Sequence, residues 1–118
     1  MTPFQFYPVD PAGEDGRQIV IPTQLESKTA LFAFLRQALP LPDYFGDNWD
    51  ALDECLGELA QGACGKIILI HHDIPLAAIP DEQRIYLQVL ADALRSGSHL
   101  AAHFPAKSQV VVEKMMPE

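Results

Sequence analysis

Basic residues are scarce in this sequence: eight Lys and Arg stand against sixteen Asp and Glu, for a formal net charge of −8. Such a chain lacks the clustered cations that a phosphate backbone requires, which argues against nucleic acid as a direct ligand. Cysteine is nearly absent. Cys55 and Cys64 are too few for a disulfide framework, and both are expected as reduced thiols. No stretch approaches the roughly 20 apolar residues needed to span a membrane. Residues 1–16 carry neither the charged start nor the apolar run of a secretion signal, so the expectation is a cytoplasmic protein with no membrane contact. There is no glycine-rich phosphate loop and no G-x-S-x-G turn, which removes two common routes to catalysis.

What the chain does have is apolar material in periodic order. Its 118 residues are 48% hydrophobic, enough for one domain with an adequate core, expected over residues 1–118. Phe4-Gln5-Phe6-Tyr7 and Gln18-Ile19-Val20-Ile21 read as short strands bounded by prolines. Ser27 is an N-cap residue type, followed by Leu31, Phe34, Leu35, Ala38 and Leu39 at the spacing of a core-facing helix that Pro40 ends. Lys66-Ile67-Ile68-Leu69-Ile70 is apolar without alternation, the pattern of a parallel strand buried on both faces. Asp81 is expected to cap a further helix whose stripe is Tyr86, Val89, Leu90, Ala93 and Leu94, with Gly97 as its stop. A weaker strand covers residues 100–104. Residues 107–116 suit strand by Val110-Val111-Val112 and helix by Pro105 and Glu113-Lys114, with the balance toward helix. The order strand, helix, helix, strand, helix, strand implies an α/β sheet with right-handed crossovers. The outer face of residues 66–70 then needs a cover, expected from the C-terminal segment or the N-terminal strands.

The most informative stretch is Leu41-Pro42-Asp43-Tyr44-Phe45-Gly46-Asp47-Asn48-Trp49-Asp50-Ala51-Leu52-Asp53-Glu54-Cys55-Leu56-Gly57-Glu58-Leu59. Pro40 and Pro42 forbid a helix through its entry, and Gly46 suits a sharp turn. A helix starts near Asp47 or Asn48, either of which can cap it, and Asp50 adds charge where the helix dipole favours it. At about 100° per residue, Trp49, Leu52, Cys55, Leu56 and Leu59 share one face, which places Trp49 and Leu52 in the core. Asp47, Asp50, Asp53, Glu54 and Glu58 share the other. No Lys or Arg in the helix offsets the repulsion among them. A solvated face is one account of this helix. The other is a surface for a basic protein, and the aromatic pair Tyr44-Phe45 directly before it favours that account.

Catalytic and metal readings fare less well. Asp50, Asp53 and Glu54 lie on one outward face, where carboxylates stay solvated and ionised rather than being split into acid and base. Cys55 has no His at helical spacing to activate it. His71-His72-Asp73 ends a strand, where neighbouring side chains point to opposite faces, and no third ligand is well spaced. The chain is expected to be neither an enzyme nor a holder of cofactor or metal.

The run Leu41 to Leu56 resembles the signature of the barstar family, intracellular inhibitors of barnase-type ribonucleases, and a weaker collinear likeness extends over residues 27–97. The resemblance implies a small, mainly parallel sheet of about three core strands, with helices packed on one side and terminal segments added. It also implies that the acidic helix and the loop before it plug the nuclease site in place of RNA phosphates. It matches Tyr44 to an aromatic that packs on the nuclease, Gly46 to a loop glycine, and Asn48 and Asp50 to polar contacts. Glu54 falls on the family's central phosphate-mimicking aspartate. Asp92, aligned through Leu87-Gln88-Val89, falls near a second acidic contact on the later helix. With Phe45, Asp47, Asp53 and Gly57 these residues form the expected contact surface. The chain departs from the family pattern at four of them. Glu54 reaches roughly 1 to 1.5 Å further than aspartate. Asp53 replaces a tryptophan, Gly57 a threonine, and Phe45 lacks the hydroxyl of a second tyrosine. The expected function is an inhibitor or immunity protein for a basic ribonuclease. The alternative is a regulatory or scaffolding protein of the same fold with another basic partner.

Overall fold

A computed structural model of the chain describes residues 3–7, 16–39, 41 and 48–115. The elements follow in the order β1 (Gln5–Tyr7), β2 (Arg17–Ile21), α1 (Lys28–Ala38), α2 (Trp49–Ala60), β3 (Ile67–His71), α3 (Pro80–Ser96) and β4 (Leu100–Pro105). A single 3-10 turn at Ala106–Ser108 then leads into α4 (Gln109–Met115), so helix and not strand follows β4. The four strands form one all-parallel sheet in the order β1-β4-β3-β2. Among the described residues no helix is long and apolar enough to cross a membrane.

Local chemistry explains most of the boundaries. Ser27 Oγ accepts a hydrogen bond from the Ala30 N–H at 3.0 Å, capping α1. β2 alternates, with Ile19 and Ile21 buried between exposed Gln18 and Val20, as an edge strand does. β3 is buried at all five positions because it lies between β2 and β4. The expected cap at Asp81 is corrected: α3 begins at Pro80, with Ile79 as N-cap and no side-chain cap bond. Proline needs no N–H in the first turn, so it takes the start, and Asp81 and Glu82 supply first-turn charge instead.

One face of the sheet carries Ile19, Ile21, Ile67, Leu69, Leu100, Ala102 and Phe104. These join the buried side chains of α1, α2 and α3 in a single core, so the helices lie on one side. The opposite face holds a small cluster of Ile68 and Ile70 against Ala101. It is closed at the centre, since Ile68 is 0% and Ile70 3% exposed. The described parts of the terminal segments have their own places in the fold. β1 pairs edge-on with β4, turning a three-stranded sheet into four, and Phe4 packs on Phe104 across 5.2 Å on the helix side. Val112 of α4 also belongs to the main core. Gly16, just before β2, also comes close to the Ile68 side chain.

Candidate partner-binding site

Two helices build the acidic surface. The backs of α2 (Leu52, Cys55, Leu56, Leu59, Ala60) and α3 (Tyr86, Leu87, Val89, Leu90, Ala93) are buried, and the helices pack along each other. Their C-terminal ends are tied: the His99 N–H donates to the Ala60 carbonyl at 2.9 Å. Gly97 passes so close to that carbonyl that a β-carbon would not fit. Its φ of −168° is ordinary extended backbone, so the glycine serves a close approach and not a left-handed turn.

At the other end, the α2 cap falls on Asn48, whose Oδ1 accepts from the Ala51 N–H at 2.8 Å. Trp49 is only partly buried. Its ring stands edge-on to Phe32 at 5.0 Å and lies 6.5 Å from Tyr86. The Lys28 ammonium sits 5.7 Å from the Phe32 ring and 5.8 Å from that of Trp49, a cation over aromatic faces at the base of the helix. Leu52 is fully buried, as the helix phasing requires.

The expected site residues fall into three groups. Tyr44, Phe45, Gly46 and Asp47 lie outside the described residues. Asn48 and Asp50 are exposed on the first turn of α2. Asp53, Glu54 and Gly57 meet Asp92 across the two helices, around an open recess of about 330 Å³. Glu58 and Gln61 extend the recess along α2, and Ala93 and Ser96 line it from α3. Gln61, Ala93 and Ser96 were missed as neighbours of the acids. Ala93 and Ser96 lie one and four residues beyond Asp92, so placing Asp92 at a helix–helix groove brings them in. Among the described residues no Lys or Arg lines the recess.

The groups considered for catalysis are engaged elsewhere. Cys55 is a buried free thiol, pushed up by burial and then by the carboxylates of Glu58 and Glu54, which disfavours a nucleophilic thiolate; Cys64 is free and exposed. His71 is fully buried. Its Nδ1 lies 3.1 Å from the His103 carbonyl, which can only accept, so Nδ1 carries the proton. Nε2 then accepts from the Tyr86 hydroxyl at 2.6 Å. The imidazole also stacks on Phe104 at 4.1 Å. Burial holds it neutral, its pKa lowered to about 3, and pushes Tyr86 up. His71 is thus a satisfied core residue, while His72 beside it is exposed. Among the described residues no three His, Cys, Asp or Glu are grouped to hold a metal.

Comparison with curated proteins gives no match. The sequence model of the family described as "Barstar (barnase inhibitor)" matches residues 19–109, from β2 through the start of α4 and across both helices of the recess. With the all-parallel sheet, the helices on one face and more than half of the chain matched, the protein belongs to the barstar family, whose members are inhibitors and not enzymes.

Proposed function

We propose that this protein inhibits a barnase-type ribonuclease by seating the acidic front of α2, the loop before it and Asp92 of α3 in the enzyme's RNA-binding cleft. A ribonuclease must hold a polyanion, so its cleft presents Lys, Arg and His. Carboxylates on a rigid helix replace the phosphates there, through charge-assisted hydrogen bonds that give specificity and fast association. The observation that carries this reading is the meeting of Asp53, Glu54 and Glu58 with Asp92 at one open recess that no basic residue lines among the described residues. Asn48 and Asp50 are exposed at the start of the same helix. The net charge of −8 adds long-range steering toward a basic enzyme.

The test is an RNA-cleavage assay with purified barnase and increasing amounts of this protein. Inhibition that saturates near one protein per enzyme supports the reading. Undiminished cleavage at a large excess would overturn it and favour a scaffolding role with another basic partner.

A further inference from the structure

Gly57 occupies the ninth of the twelve positions of α2, where glycine costs about 1 kcal/mol relative to alanine. The fold gives no return for that cost. The other described glycines have a reason within the chain: positive φ at Gly16, Gly62 and Gly65, and the close approach of Gly97 to Ala60. At Gly57 the backbone is helical and an added β-carbon would meet nothing within 4 Å. The open space is the recess between α2 and α3, where Gly57 and Ala93 are small and Asp53, Glu54, Glu58 and Asp92 supply the charge. A β-carbon at residue 57 would project into that space without touching the rest of the protein.

We infer that Gly57 is a specificity-determining residue: it keeps a socket open between α2 and α3 into which the ribonuclease inserts one long basic side chain. The stem of such a side chain covers the small residues Gly57 and Ala93, while its cationic head reaches carboxylates on both helices. The inference rests on the proposed inhibition of a barnase-type enzyme. It adds a steric element, because space at residue 57 decides which basic surfaces can dock.

Gly57→Ala and Gly57→Leu test it, with Glu54→Gln as the control for the acidic face. Thermal unfolding of the free protein and affinity for barnase are measured for each. Of the two Gly57 variants, Gly57→Ala should unfold at a temperature roughly 3–6 °C higher, because it restores helix propensity without a clash. Both should bind more weakly, by about tenfold for Ala and about a hundredfold for Leu, as the socket fills. A lower unfolding temperature for Gly57→Ala would show that the glycine serves the fold, and would overturn the inference. Undiminished binding by Gly57→Leu, with Glu54→Gln weakened, would overturn the socket and leave the acidic plug standing. Undiminished binding by all three variants would overturn both.

Discussion

His71 and Leu52 show how much a single buried side chain decides in this molecule. His71 is held neutral, with a folded pKa of about 3 against an ordinary value near 6.5, so the unfolded chain takes up the proton first. Its contribution to stability is therefore complete above pH ~6.5 and declines as pH falls from there toward about 3. Between pH 6.5 and 5, before most carboxylates titrate, the loss should be about 2 kcal/mol. Urea unfolding across that range should show this slope in the wild type, and a flatter dependence in His71→Gln. Equal slopes in the two proteins would mean that the imidazole is not the titrating group. Leu52 makes a different point. It is 0% exposed on the back of the helix whose front carries Glu54. Leu52→Ala should cost about 2–5 kcal/mol of stability in chemical unfolding, whereas Glu54→Gln should leave stability within about 0.5 kcal/mol. The reverse order would overturn the phasing of α2 on which the site depends.

Element by element, the sequence is most legible where one side chain does a local job. The i, i+3, i+4 stripes of α1, α2 and α3 and the unalternating run of β3 place these elements correctly, because burial on one face or on both writes itself into spacing. Ser27 is a legible cap, and Asn48 was one of two candidates with Asp47, because a cap needs only a side-chain oxygen near the first-turn N–H groups. The α3 start was misplaced by two short-range signals in competition, a capping-type Asp81 and a Pro80 that fits the first turn, and the proline prevails. The roles of β1 and α4 were not legible. Whether a terminal strand pairs at a sheet edge or covers a face depends on partners far away in sequence, here Gln5 with His103 and Val112 with the main core. The junction of α2 with α3 was half legible: Gly97 reads as a stop, yet its closeness to Ala60 is a tertiary fact. Gly97→Ala should therefore lower stability by about 1–3 kcal/mol despite its permissive backbone angle. A denaturation midpoint equal to that of the wild type would show that the two helix ends separate freely.

At the scale of the whole molecule, a four-stranded parallel sheet carries all its long helices on one side, and that single layer sets α2 beside α3 so that their acids converge. The acidic composition and the family signature pointed to Glu54, Asp53, Gly57 and Asp92 from sequence. Their convergence on one recess required the fold, since some 35 to 40 residues separate Asp92 from the acids of α2. The measurement that bears most directly on the acidic-plug account is the kinetics of Glu54→Gln binding to barnase over a series of salt concentrations. Loss of a carboxylate paired inside the interface should slow association modestly and raise the dissociation rate by roughly thirtyfold or more, an effect that persists at high salt. Association of the wild type should itself slow as salt screens the net charge of −8. A dissociation rate for Glu54→Gln equal to that of the wild type would contradict the account, because Glu54, its central carboxylate, would then not be standing in for a phosphate.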